Sequence, residues 1–287
     1  SWARFRAEFA ESRLALAGLA VLVAIIAIAL LAPVISPQNP YDLAQLDVLD
    51  SKLAPGEKSA DGRTYWLGTD DQGRDMLSGI FYGLRISLGV GVASTVFALA
   101  IGLALGLVAA YFGGWVDTLV MRVVDIQLSF PAILIALILL AVLGQGVDKI
   151  VVALVTVQWA YYARTVRSSA LVERQKEYIE AARVLALGQA RIVFRHLLPN
   201  CLPPLIVVAT VQVAHAIALE ATLSFLGLGL PVTEPSLGLL ISNGFQYLLS
   251  GKYWISFYPG IALLATIMAI NLVADQLRDV LNPRLRR

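Results

Sequence analysis

The sequence predicts an all-α membrane protein with six transmembrane helices and with both termini in the cytoplasm. Of its 287 residues, 58% are hydrophobic and only 15% are charged, a composition too apolar for an ordinary soluble domain. The apolar residues form long uncharged runs of the length that crosses a ~30 Å hydrocarbon core. The basic residues form blocks between these runs, which is the pattern of a multi-pass membrane protein.

The first 35 residues predict a surface arm followed by a membrane span. Residues 1–13 mix arginine with aromatic residues, which suits a cytoplasmic arm at the membrane interface. Residues 14–32 are uncharged, and Pro33 and Pro37 are expected to end the helix, so the first span is assigned to residues 14–35. A cleaved signal peptide is the competing interpretation, but no small-residue cleavage site follows the run.

Residues 36–83 predict an external, periplasmic loop because they carry eight acidic residues against four basic ones. Asp70, Asp71, Arg74 and Asp75 are expected to form a mutually capped turn. A calcium loop is the competing interpretation, but the segment lacks the regular acidic positions and the terminal Glu of an EF-hand.

Five further spans are predicted within a core at residues 84–281. They cover residues 86–112, 123–142, 150–163, 204–230 and 257–274. The span at 150–163 has only 14 residues. It is needed, because without it the basic block that follows would lie outside with the acidic loop. The resulting topology places 15 of the 22 Lys and Arg residues in the cytoplasm, including those of a tail at residues 282–287.

Several local features are predicted in this core. Gly102 and Gly106 permit close approach of another helix, and Pro131 is expected to kink the third span. Lys149 and Arg164 are expected to extend from the short fourth span to the membrane interfaces. Local ion pairing is expected among Asp117, Arg122 and Asp125. Residues 231–256 are predicted to be an outer loop with interfacial aromatic residues at Phe245, Tyr247, Tyr253 and Trp254.

A basic, helix-prone segment interrupts the core between the fourth and fifth spans, with seven basic residues between positions 164 and 196. Residues 176–187 predict a short amphipathic helix with one face formed by Tyr178, Ala182 and Leu185. The residues expected to end this helix and to separate it from the next span are Gly188, Pro199, Pro203 and Pro204. The pattern alone allows either a solvated interfacial loop or a helix recognised by a partner outside the membrane.

The fifth predicted span contains Gln212, His215 and Glu220, and an ionisable residue inside a span is a functional candidate because its burial is costly. Gln212 and Glu220 are eight residues apart and are expected on similar helix faces, with His215 offset. Together with Gln158 of the fourth span, these three residues are the candidates for a substrate path. The alternative is that a neighbouring helix satisfies Glu220, which would then have a structural role.

The sequence offers no catalytic or metal site, so the chain is not expected to be an enzyme. Its only Gly-Lys dipeptide, Gly251-Lys252, is followed by Tyr253 and does not fit a nucleotide-binding loop. HExxH is absent, and the two histidines are far apart. The single cysteine, Cys201, excludes an intramolecular disulfide and is expected to be a small buried residue. A net charge of +2 gives no reason to expect nucleic acid.

Motifs along nearly the whole chain resemble the permease subunits of ATP-binding cassette (ABC) importers of the dipeptide/oligopeptide/nickel group. In chain order they are GTDDQGRD, RISLGVG, YFGGWVD, EAARVLALGQARIVFRHLLPN and LRDVLNPRLR. The fourth motif resembles the cytoplasmic EAA loop of that family, which docks into a groove of the ATPase subunit. The family usually has Gly six residues after the Glu of this loop, where the present chain has Ala186, which we interpret as a substitution.

This resemblance implies the type I ABC importer permease fold, with a coupling loop at residues 170–199. The residues that it assigns to ATPase coupling are Glu180, Ala181, Ala182, Arg183, Ala186 and Gly188. It also implies a homologous second permease, two ATPase subunits that bind ATP and Mg, and a periplasmic or lipid-anchored substrate-binding protein, all at a bacterial inner membrane. Peptides are the expected substrates, while nickel, glutathione and other small polar solutes remain open.

Two other functions are compatible with six spans. An ion-coupled secondary carrier would use Glu220 and His215, and its uptake would collapse with an uncoupler at constant ATP. A membrane scaffold would show no substrate-dependent ATPase activity in any complex. The permease interpretation instead predicts that Glu180→Arg uncouples transport from ATP hydrolysis in a folded protein.

Overall fold

The computed structural model describes residues 2–281, with side chains from residue 5 onward, and this part of the chain is helical without a β-strand. The tail predicted at residues 282–287, including Arg284, Arg286 and Arg287, lies outside the described residues. The α-helices are α1 (Trp2–Ala10), α2 (Arg13–Ile35), α3 (Met76–Phe112), α4 (Gly114–Ser129), α5 (Ala132–Leu143), α6 (Val147–Arg174), α7 (Glu177–Val184), α8 (Gln189–Arg191), α9 (Leu198–Phe225), α10 (Leu237–Phe245) and α11 (Trp254–Leu281).

Four helices of the described chain are long and apolar enough to cross a membrane: α2, α3, the continuous run Gln189–Phe225 and α11. The pair α4 and α5 makes a fifth candidate, but it bends by 90° at Pro131, far more than the predicted kink. At 28 residues, α6 contains the predicted fourth span and is about 42 Å long, although its polar residues keep it out of this set. The count of six spans therefore remains a prediction.

Prolines end one helix where the sequence led us to expect it, but not another. Helix α2 ends at Ile35, between Pro33 and Pro37, as predicted. The fifth predicted span begins earlier than residue 204, because a π-helix at Ile192–Leu197 runs directly into α9 and through Pro199. The expected separation at this proline is wrong. Pro199 stands in the first turn of α9, a position at which a helix tolerates proline.

The outer loop predicted at residues 231–256 contains an additional helix, α10. Its Leu237, Leu239 and Leu240 are buried against the neighbouring helices. Trp254, predicted to lie at the membrane interface, is instead buried and donates its indole N–H to the Thr69 carbonyl at 3.0 Å. The loops at this end of the bundle therefore pack on one another.

The turn predicted before the second span is confirmed, except at one residue. Asp70 Oδ1 accepts the backbone N–H groups of Gln72 and Arg74, each at 2.9 Å, and Asp75 caps α3 by accepting from Ser78 N at 3.0 Å. Burial raises the pKa of the Asp70 carboxyl, and the Arg74 guanidinium opposes that rise. The Asp71 carboxylate makes no such contact; one of its oxygens is buried without a partner in the described chain. Helix α3 consequently begins at Met76, ten residues before the predicted start.

Helices α3 and α6 form the most extensive helix contact, and two glycines of α3 make it possible. A Cβ atom at Gly102 would lie 2.5 Å from Tyr162 Cβ, and one at Gly106 would lie 2.6 Å from the Ala163 carbonyl oxygen. The predicted close approach at both glycines is confirmed.

Ion pairs connect α6 to α4 in place of the predicted pairing within α4. Arg167 holds Asp117 with two hydrogen bonds of 2.8 and 2.6 Å, and Arg164 contacts Asp125 at 2.5 Å. No bond links Arg122 to either aspartate in the described chain. Arg164 therefore binds a neighbouring helix, and its predicted extension to the membrane interface stays a prediction.

Candidate functional site

Helix α7 is the short helix predicted in the basic segment, and it packs against the bundle through a different face from the expected one. Ile179 and Ala182 are buried, with exposed fractions of 1% and 4%. Tyr178 and Leu185, which were expected on the inner face, are 37% and 72% exposed. The predicted face was right at Ala182 and wrong at Tyr178 and Leu185, because Ile179, three residues before Ala182, takes the inner position that was assigned to Tyr178.

The buried side of α7 belongs to a core cluster that joins it to α6, the π-helix and α9. The other buried members of this cluster on those elements are Tyr162, Val166, Ala170, Ile192, Leu197, Cys201 and Leu205, and Ala98, Leu107 and Ala110 of α3 also belong to it. The burial of Cys201 agrees with its predicted role as a small packing residue. Packing of this kind makes α7 a fixed part of the bundle, which excludes the alternative of a solvated loop.

Glu173, at the end of α6, anchors the entry to α7. Its carboxylate accepts from the Tyr178 hydroxyl at 2.6 Å and from Lys176 Nζ at 2.5 Å. Burial, followed by the hydrogen bond to Glu173, raises the pKa of Tyr178 above that of an exposed tyrosine. The hydroxyl therefore remains a donor at neutral pH, and the turn between α6 and α7 stays closed.

The turn after α7 is a Schellman motif centred on Ala186. The Leu187 N–H donates to the Ala182 carbonyl at 3.1 Å, and the Ala186 N–H donates to the Arg183 carbonyl at 2.9 Å. Ala186 has φ +54°, in the left-handed region that favours glycine. Ala186 therefore occupies a turn position that favours glycine, which is the residue that the EAA loop of the resembled permeases usually has there.

Gly188 does not end α7, contrary to expectation. The helix ends at Val184, and Gly188 has φ −58° at the start of α8. Ala186 makes the turn instead, so the glycine two residues later needs no left-handed conformation.

The outer face of α7 is free for a partner, and we call its residues the docking face: Glu177, Glu180, Ala181, Arg183, Val184 and Leu185. All six are exposed, and Val184 has an exposed fraction of 86%. Glu180 and Arg183 have no hydrogen bond or ion pair to the described residues. Ala182 was predicted to face the ATPase, but it is buried under the helix and cannot contact a partner.

Most of the basic residues before α7 bind other parts of this chain. Besides the pairs of Arg164 and Arg167, Arg174 Nη1 donates to the Ala110 carbonyl at the end of α3, at 2.7 Å. Lys176 is bound to Glu173. The block predicted as a recognition surface therefore serves mainly to fasten α6 to α3, α4 and α7.

A second candidate site is a polar cleft of about 310 Å³ between α5, α6 and α9. Three of the four predicted substrate-path residues, Gln158, Gln212 and His215, line it. Gln158 Nε2 donates to the Gln212 carbonyl at 3.1 Å, and His215 Nδ1 lies within hydrogen-bond distance of Gln212 Oε1, at 2.8 Å. We call this group the amide cleft.

Glu220 does not belong to the amide cleft, which corrects the expectation that it shares a face with Gln212. Its carboxylate is fully buried and accepts from Ser87 Oγ at 3.1 Å and from Ser224 Oγ at 2.8 Å. The bond from Ser87 joins α9 to α3, as the structural alternative requires, while Ser224 lies on α9 itself. Because Glu220 and His215 serve separate environments, the geometry gives no support to a carrier that uses them together.

Comparison with known proteins shows the family and the fold of this chain. The family described as "Binding-protein-dependent transport system inner membrane component" matches residues 102–287, and "N-terminal TM domain of oligopeptide transport permease C" matches residues 1–55. The dipeptide transport system permease protein DppC of Alkalihalophilus pseudofirmus is 35% identical over 285 residues, covering 99% of this chain and 90% of that protein. The glutathione transport system permease protein GsiD of Pectobacterium atrosepticum is also 35% identical over 285 residues, covering 99% and 92%.

A putative peptide transport system permease protein of Brucella suis is 40% identical over 269 residues, covering 94% of this chain and 87% of that protein. Among solved structures, an inward-facing MetNI methionine ABC transporter aligns with a TM-score of 0.59 at 24% identity, covering 72% of this chain and 98% of that chain. That likeness shows the fold.

The fold and the exposed helix define a multi-pass membrane subunit of an ABC importer. The chain belongs to the family of binding-protein-dependent transport system inner membrane components. The predicted all-α permease fold and family are thereby confirmed. The family is one of transport permeases, so the chain is not a catalytic enzyme.

Proposed function

We propose that this chain forms half of the translocation pathway of a peptide importer in a bacterial inner membrane. Six spans, including α6 and the bent pair α4 and α5, place both termini and α7 in the cytoplasm. A homologous second permease supplies the other half of the pathway. A periplasmic or lipid-anchored binding protein delivers the substrate from the opposite side.

The observation that carries this proposal is the docking face of α7. Ile179 and Ala182 fix one side of this helix to the bundle. Its other side carries unpaired charged side chains and exposed apolar side chains, which a partner outside the bundle can bind and push. Glu180 is our principal charged contact with the ATPase, flanked by Arg183, while Ala181 permits close approach. Val184 and Leu185 add apolar surface to the same contact.

Two separate ATPase subunits would bind ATP and Mg and drive the cycle, since this sequence has no nucleotide-binding loop. Shifting a two-state permease from 1:99 to 99:1 requires ~5.5 kcal/mol of differential binding. The docking face supplies this energy when its contacts differ between the two ATPase states. The relatives named for peptide transport support peptides as the transported class.

Charge reversal at Glu180 tests the coupling role in the complete importer reconstituted in liposomes. We expect Glu180→Arg to lower peptide uptake per ATP hydrolysed at least ~10-fold, because it places repulsive charge in the docking contact. Asp275→Arg is the matched control, since it makes the same charge change at an exposed position of α11. Uptake in Glu180→Arg equal to that of the control would refute the coupling role.

A further inference from the structure

The amide cleft contains two buried polar atoms without partners, and they are of opposite kinds. Gln158 and Gln212 are only 3% and 5% exposed. Gln158 Oε1 and Gln212 Nε2 have no hydrogen-bond partner in the described chain. An unpaired buried polar group costs free energy, so a site that retains one acceptor and one donor together is suited to a ligand that supplies both.

The orientation of each amide follows from its other contact. Gln158 faces the Gln212 carbonyl, which can only accept, so the atom that contacts it must be Nε2 and the oxygen remains unpaired. The Gln212 amide follows the His215 tautomer: with the proton on Nδ1, Gln212 Oε1 accepts it and Nε2 is left as the unpaired donor. The backbone contact thus fixes the Gln158 amide, and a proton on His215 Nδ1 sets that of Gln212.

We propose that the amide cleft is a subsite that recognises one peptide unit of the substrate during its passage. This inference rests on the proposed function. Gln212 Nε2 donates to the peptide carbonyl, and Gln158 Oε1 accepts from the peptide N–H. The rest of the lining combines apolar residues, including Val157 and Leu219, with the hydroxyl-bearing Tyr161 and Thr222, and it contains no Asp, Glu, Lys or Arg.

Such a subsite recognises the backbone of the peptide substrate and does not select its side chains. A neutral donor and acceptor fit any peptide bond, whereas a charged group would select particular residues or bind too tightly to release. Peptides of many sequences would therefore pass the cleft, and selection among them would fall to the binding protein.

The test uses the complete reconstituted importer with two probes, trialanine and the ester analogue in which oxygen replaces its central N–H. Both probes meet the same binding protein, so its preference cancels when permease variants are compared. We expect Gln158→Met to lower the ratio of amide to ester uptake ~3- to 10-fold, because the variant lacks the acceptor that reads the N–H. Gln145→Met is the matched control: Gln145 also donates to a backbone carbonyl, that of Gly227, but lies outside the cleft.

A ratio in Gln158→Met equal to that of the wild type and of Gln145→Met would overturn the subsite. If Gln158→Met does not assemble, Gln158→Asn is the second variant. It keeps the amide but shortens the side chain by one methylene, so its oxygen no longer reaches the substrate N–H, and the same fall in the ratio of amide to ester uptake is expected. Failure of the wild-type complex to transport trialanine would instead refute the proposed function. An unchanged ratio with active transport would mean that the two amides bind only water.

Discussion

Ala186 holds the turn that ends α7 in a conformation that costs an alanine free energy. Its φ of +54° brings Cβ close to the following carbonyl oxygen, a cost of about 1–2 kcal/mol that glycine avoids. Part of the gain from glycine is lost because glycine is more flexible in the unfolded chain. The net effect of Ala186→Gly should be a stabilisation of α7 by about 0.5–1 kcal/mol.

We therefore expect the amides of Ala186 and Leu187, which donate the two bonds of the Schellman motif, to exchange hydrogen ~2- to 5-fold more slowly in Ala186→Gly. Hydrogen exchange read by mass spectrometry in detergent measures this directly. Gly188→Ala is the control, since Gly188 has φ −58° and its added Cβ would meet no atom within 4 Å. Equal exchange in Ala186→Gly and wild type would show that the turn carries no strain.

At the scale of whole helices, Gly102 sets the distance between α3 and α6. Adding a methyl group there places Cβ 2.6 Å from the Trp159 carbonyl oxygen, a backbone atom that cannot move aside without shifting α6. We expect Gly102→Ala to destabilise the bundle by about 1–3 kcal/mol. The measurement is the midpoint temperature for loss of the monodisperse species in detergent.

Gly89→Ala tests whether the effect comes from the helix contact or from glycine itself. Gly89 lies on the same helix, but a Cβ atom there would meet nothing within 4 Å. Its replacement should hold or raise the midpoint, because alanine favours helix more than glycine does. A common shift in both variants would contradict the close-contact argument.

The long elements were predictable from the sequence, and the short ones were not. Uncharged runs fixed the central parts of α2, α3 and α11, because hydrophobicity over 20 residues outweighs local preferences. Helix α10 was missed because it has only nine residues, two of them glycines. So short a segment shows too little periodicity to distinguish a helix from a loop. The face of α7 was misassigned for the same reason: in eight residues, Ile179 and Tyr178 compete for one inner position.

The amide cleft was only partly predictable. Polar residues within apolar spans marked Gln158, Gln212 and His215 as candidates. Glu220 is separated from these residues because it bonds to Ser87, which is distant in sequence. The residue pattern of α9 alone does not predict that contact. The 90° bend at Pro131 was likewise beyond prediction, since proline predicts a break but packing sets its angle.

At the scale of the whole molecule, the core cluster beneath α7 is the mechanical link between the docking face and the membrane helices. Force received at Glu180 passes to α6 and α9 only if α7 moves with them as one body. Ile179 and Ala182 hold it there because both are buried in the core cluster that α7 shares with α6, α9 and the π-helix. Loosening this packing should therefore impair coupling while leaving the docking face chemically intact.

Ile179→Ala tests that link. Removing buried atoms at a position only 1% exposed should cost about 2–5 kcal/mol of local packing, comparable with the ~5.5 kcal/mol needed to switch the bundle. In the reconstituted importer we expect ATP hydrolysis to continue while peptide transported per ATP falls. Val172→Ala, at a 62% exposed position of α6 outside the docking face, is the control and should leave that ratio unchanged. If Ile179→Ala kept the wild-type ratio, force would have to reach the bundle by a route other than the packed side of α7.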